Sequence, residues 1–209
     1  RGKADIREYI RFLQSAHHLG PAHRLKGPEG VLQAVTPLQG LFLPVSWWET
    51  FVLPARVAGY RREDLDLLCA SGELIWIGRR EEGGAAGKIA FFRTDAPELA
   101  APFFSGEGPE PKHPELYERL RARGASFLTA LANETGMKPS ELLDQLFDLV
   151  WQGLVTNDQF APVRLYGDKR PPSVLAAKGG KFRSGLGRWY ATADLKSGVF
   201  GEVSAERAV

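Results

Sequence analysis

Lys169, Arg170, Lys178, Lys181, Arg183 and Arg188 crowd into one stretch of the chain whose only acid is Asp168, with Phe182, Trp189 and Tyr190 among them. Cations at this density can track phosphates, and flat rings between them can stack on bases. Gly179, Gly180, Gly185 and Gly187 would let the stretch follow an irregular strand. The alternative is a solvated wing whose lysines serve solubility and whose Trp189 is a core residue. Arg56, Arg61 and Arg62 form a second, smaller group of candidate nucleic-acid contacts.

Other chemistries find less support. Glu82-Gly-Gly-Ala-Ala-Gly-Lys88-Ile89 approaches a phosphate-cradling loop, but Glu82 stands where a glycine is needed and Ile89 where a hydroxyl must meet magnesium. His17, His18 and His23 match no standard zinc spacing, and no Ser-His-Asp, Cys-His or paired-carboxylate pattern suggests catalysis. No cofactor and no metal are expected in the chain itself. Trp47-Trp48 reads as a core anchor with one ring turned outward, and Asn133-Glu-Thr135 as a glycosylation match inside a helix.

The elements that must position these residues read as α+β. At 209 residues and 44% hydrophobic, the chain can bury the core of one compact domain or two small ones. Ile6, Tyr9, Ile10 and Leu13 recur at helical spacing, and a second helix is expected from about Pro28 to Val35. Residues 1–40 are therefore expected as a helical lead-in. Residues 41–110 follow as a first winged-helix-like module, with helices at Trp47–Leu53 and Arg62–Ala70 and short antiparallel strands at Leu74–Ile77 and Lys88–Phe92. Pro97 to His113, rich in Pro and Gly, reads as the join. Residues 111–209 make a second such module, with helices at Pro114–Arg123, Ser126–Glu134 and Pro139–Gln152 and strands at Leu154–Thr156 and Gly187–Thr192. Its long basic connection, 166–186, exceeds ordinary loop length.

Pro139 to Gln152 would be the groove-reading helix of that second module, yet its outward residues are Glu141, Asp144, Gln145, Asp148 and Gln152. Phosphates would repel that face. Glu63 and Asp66 weigh on the matching helix of the first module, so strands and loops are expected to touch nucleic acid instead. Net charge is only +2, which also places any affinity in local patches. The lone Cys69 permits no internal disulfide and favours the cytoplasm. No apolar run is long enough to span a bilayer, and Arg1 to Asp5 is not a signal sequence.

Several blocks in order carry a family resemblance: Leu38-Gln39-Gly40, Leu43-Pro44, Trp48-Glu49, Leu53-Pro-Ala-Arg-Val57-x-Gly59-Tyr60, Leu65 to Gly78, Leu149 to Asp158, and Gly187-Arg188-Trp189. Through them the chain resembles the large helicase-related (Lhr) proteins, superfamily 2 DNA helicases, in the region that follows their motor and winged-helix domains. The resemblance implies a DNA-binding accessory domain of an ATP-dependent 3′-to-5′ helicase of DNA repair. Its partners would be single-stranded DNA or 3′-tailed duplex, RNA–DNA hybrid included, together with the motor domains, which would hold ATP and magnesium. Because the phosphate loop is missing, the chain alone is not expected to be catalytic. The alternatives are a DNA glycosylase-like winged-helix domain and a structural or oligomerisation module.

Overall fold

A computed structural model describes residues 6–81, 84, 86–104, 108–167 and 186–197. Helix α1 (Ile6–Ala16) forms where the apolar spacing places it, but none of its residues is buried, and Ile6, Tyr9, Ile10 and Phe12 remain exposed. His18, at φ 57°, turns the chain out of the helix, and its Nδ1 donates to the His23 carbonyl at 3.1 Å.

Helix α2 (Gly27–Val35) carries Pro28 in its first turn, where a missing N–H costs nothing, and buries Val31, Leu32, Ala34 and Val35. The sequence assigned this segment to the lead-in. It packs on a later helix of the first module and opens that module. Strand β1 (Leu43–Pro44) leads into helix α3 (Val45–Trp47), which continues through a π turn, Trp48–Val52, into α4 (Leu53–Arg56). Pro54 has no N–H for the ladder, and just before it the Leu53 N–H reaches back five residues to Trp48. Trp48 is completely buried, donating its Nε1 proton to the Ile89 carbonyl at 2.8 Å.

Helix α5 (Arg62–Ala70) buries Leu65, Leu68 and Cys69, and Gly72, at φ 78°, turns the chain into β2 (Leu74–Arg79). Strand β3 (Lys88–Arg93) pairs antiparallel with β2 from Leu74↔Arg93 to Arg79↔Lys88, completing a sheet of order β1-β3-β2. Its residues alternate between two layers. Leu74, Trp76, Ile89 and Phe91 enter the main core, while Ile75, Ile77, Ala90 and Phe92 form a smaller cluster with Ala100. Ala100 lies on α6 (Pro97–Phe104), a helix at the start of the expected join.

The second module repeats this order: α7 (Pro114–Arg123), β4 (Ser126–Phe127), α8 (Leu128–Thr135), α9 (Pro139–Trp151), β5 (Val155–Asn157), α10 (Ala161–Gly167) and β6 (Arg188–Ala191). Its sheet, β4-β6-β5, has the same arrangement as the first. Helix α10 is the addition, and it lies just before the long connection, where no helix was expected.

The modules share one hydrophobic core. The Trp76 indole donates to the Gln159 carbonyl at 3.1 Å, and the Thr156 hydroxyl donates to the Trp76 carbonyl at 2.6 Å. Gly78 permits the closest approach, since a Cβ there would sit 2.7 Å from a Val150 methyl and 2.8 Å from its carbonyl oxygen. Any larger residue must push the modules apart.

Candidate nucleic-acid interface

Of the cations expected on the long connection, Lys169, Arg170, Lys178, Lys181 and Arg183 lie outside the described residues. Arg188 and Trp189 are on β6, the central strand of its sheet, and neither presents the surface expected of it. Trp189 is fully buried, edge-on to Phe147 with ring centroids 5.5 Å apart, so it has no face for a base. The cause is strand alternation, because Trp189 and Ala191 point inward while Arg188 and Tyr190 do not. Arg188 is held by Asp158, whose Oδ1 accepts from its backbone N–H at 2.7 Å and whose Oδ2 accepts from Nε at 2.8 Å. Its charge is largely spent within the fold.

The second group divides. Arg56 is half-buried; Nη1 donates to the Val52 carbonyl at 3.1 Å, and desolvation lowers its pKa from the ordinary arginine value. Arg61 and Arg62 have side chains 69% exposed. Arg61 pairs with Asp64 at 2.9 Å, and the hydrogen bond to that carboxylate raises its pKa. Arg62 stands farther from its neighbour, 3.7 Å from Glu49.

An unforeseen charge cluster joins the modules. Arg164 on α10 donates from Nε to both Glu49 oxygens at 2.9 Å, and from Nη1 to both Asp66 oxygens at 2.7 and 2.8 Å. Its Cζ lies 5.0 Å from the Phe160 ring centre. Burial works against the Arg164 charge, yet the hydrogen bonds to Glu49 and Asp66 outweigh it and hold the pKa above the ordinary value. Tyr60 donates its hydroxyl to Glu49 at 3.0 Å; burial, then the Glu49 charge, pushes that phenol far up. A cleft of about 480 Å³ opens beside the cluster, lined by Ser46, Glu49, Thr50 and Arg62 from one module and Ala161 and Arg164 from α10. Because Glu49 already accepts from a guanidinium and a phenol, it is poorly placed to take a proton from water. The cluster works as a clamp.

Arg79, which ends β2, and Arg80, which follows it, were also missed. Each guanidinium lies over a ring, Arg79 4.7 Å from the centre of Phe42 and Arg80 4.9 Å from that of Trp151. Both are exposed, and neither has a carboxylate within ion-pairing distance among the described residues. In sequence they are followed at once by Glu81 and Glu82, so a local charge count cancels them. The Glu81 carboxylate turns instead to Lys88, at 2.5 Å.

Helix α9 carries Glu141 and Asp144 outward, while the segment before α7 covers its C-terminal part. Gln152 donates to the Glu110 carbonyl and accepts from the Lys112 N–H, both at 2.9 Å, and Asp148 meets His113 at 3.0 Å. Insertion of this helix into a groove would need an acidic surface to approach phosphates and a packed segment to leave.

Comparison with known proteins bears on the whole arrangement. Residues 4–94 match the family described as large helicase-related protein, winged-helix domain. A Mycolicibacterium smegmatis protein named Lhr helicase/probable uracil glycosylase is 37% identical over 170 residues, covering 78% of this chain and 11% of that protein. An Escherichia coli protein named Lhr helicase/uracil glycosylase is 35% identical over 149 residues, covering 66% of this chain and 10% of that protein. The chain thus spans about a tenth of the length of these relatives.

Proposed function

We propose, from the premise that this chain belongs to the large helicase-related (Lhr) family, that it is a DNA-binding accessory part of an ATP-dependent 3′-to-5′ helicase of DNA repair. Its role is to contact the single strand along which the motor moves, in the cytoplasm. ATP and magnesium belong to the motor domains of the parent protein, and the partners here are single-stranded DNA or 3′-tailed duplex, with RNA–DNA hybrid as a further substrate. The observation that carries this reading is the match at 35–37% identity, over most of the chain, to two proteins named as Lhr helicases. The exposed cations of the first module and the acidic, partly covered α9 favour contact through strands and loops. The basic residues Lys169, Arg170, Lys178, Lys181 and Arg183 add further phosphate contacts in this proposal. Among the described residues, no helix is long and apolar enough to cross a membrane.

The test is a titration of the chain with single strand, duplex and RNA–DNA hybrid at two salt concentrations. Salt-sensitive binding supports the reading, and absence of binding at low salt rejects it. A second reading is favoured by the names of both relatives, which join a uracil glycosylase to a helicase. On it, the chain holds DNA for base excision. Glu49, the carboxylate lining the cleft, is already engaged by Arg164 and Tyr60, so excision by this chain alone is not expected. Incubation with uracil-containing DNA decides, because release of uracil by the purified chain would favour the second reading.

A further inference from the structure

Arg79, the last residue of β2, and Arg80, the residue after it, lie toward opposite sides of the sheet. Residues two apart share a face, so Arg79 follows Ile75 and Ile77 on the side of the smaller apolar cluster, where Phe42 also packs. Arg80 follows Trp76 and Gly78 on the side of the main core, where Trp151 packs. Each guanidinium carbon lies over an aromatic ring, a contact that steadies the cation without using its N–H donors in a hydrogen bond. Arg80 is further fixed through its backbone, which donates to the Trp151 carbonyl at 2.9 Å. Among the described residues, the adjoining acid Glu81 pairs with Lys88.

We propose that Arg79 and Arg80 form a two-pronged phosphate site that engages both strands of a DNA duplex, one guanidinium on each wall of a groove. This rests on the DNA-binding reading above and adds to it the kind of DNA held by the first module. Guanidiniums held on opposite faces of the chain do not converge on one phosphate. The two phosphate rows that border a duplex groove offer partners on two sides at once. The contact carries no base preference, since guanidinium–phosphate pairs position the protein without reading sequence.

The experiment compares the unaltered chain with Arg79→Gln/Arg80→Gln, in which the side chains keep packing on Phe42 and Trp151 but lose their charge. Binding of labelled duplex and labelled single strand is followed across a salt series, with thermal unfolding to verify the fold. Two lost phosphate contacts on duplex should flatten the slope of log affinity against log salt by about 1.8, equivalent to roughly thirtyfold weaker binding at 0.15 M salt when extrapolated from 1 M. Single-strand binding should change far less. Arg79→Gln alone leaves the Trp151 contact in place, and it should show about half the slope change even if the double variant does not fold. Unchanged duplex affinity and slope in a folded variant would overturn the proposal while leaving the DNA-binding reading intact, and so would a loss confined to single strand. Failure of the unaltered chain to bind any nucleic acid at low salt would overturn both.

Discussion

Arg164 and Arg80 both reach across the contact between the two modules, and they meet opposite surroundings there. Arg164 is surrounded by carboxylates, with Glu49 and Asp66 each accepting two hydrogen bonds from it, and its side chain is only 15% exposed. Arg80 lies on the Trp151 ring and remains exposed. A guanidinium paired on all sides has nothing left for a ligand and can hold a fold together; one steadied by a π face keeps its donors. The contrast teaches that the number of cations in a segment says little about binding until their partners are known. Arg188 makes the same point, since it was expected to meet DNA and is held by Asp158.

The largest expected effect breaks the Arg164 side of the comparison. Arg164→Ala leaves Glu49, with a side chain only 6% exposed, facing only the more distant and largely exposed Arg62, and should cost about 3–5 kcal/mol in urea unfolding. Adding Glu49→Gln should recover part of that loss, because the uncompensated buried charge is gone. A loss below about 1 kcal/mol for Arg164→Ala would mean that the cluster behaves like a surface ion pair.

Trp189→Ala follows closely. A fully buried tryptophan should cost about 3–5 kcal/mol on truncation. Were the variant instead to keep its melting temperature and lose nucleic-acid affinity, Trp189 would be a stacking surface and the packing of β6 described above would be wrong.

Lys178→Ala/Lys181→Ala/Arg183→Ala sharpens the comparison from the binding side. If all three residues meet phosphates of a single strand, the slope of log affinity against log salt should flatten by roughly 2 while stability stays nearly unaltered. The Arg79 and Arg80 variants are expected to act on duplex. Should both sets weaken the same DNA equally, one continuous phosphate track would replace the division between single strand and duplex.

Much of the fold was legible where a local signal agreed with packing. The α5 and α7 bounds follow from apolar spacing and, for α7, from Pro114 at its first position. Helix α6 was hidden because it is short and carries an internal proline, Pro102, and α10 because it is only seven residues long. The burial of Trp189 was readable in principle from the period-two run Arg188-Trp-Tyr-Ala191, whose second and fourth residues face inward. The resemblance to a DNA helicase instead drew attention to the ring as a stacking surface. Glu49 and Arg164 stand 115 residues apart, and no periodicity links them. Arg79 and Arg80 were obscured by the acids beside them, although strand direction sends those side chains to different neighbours. Long-range pairing and the choice of face decide a site, and both arise only when the chain is folded.

The most direct test of the account is a titration of the unaltered chain with labelled duplex and labelled single strand from 0.05 to 0.2 M salt. Binding to both is expected, with log affinity falling linearly with log salt and a slope on duplex of at least about 1.8 in magnitude, corresponding to two phosphate contacts. Binding that ignores salt, or no binding at 0.05 M, would contradict it.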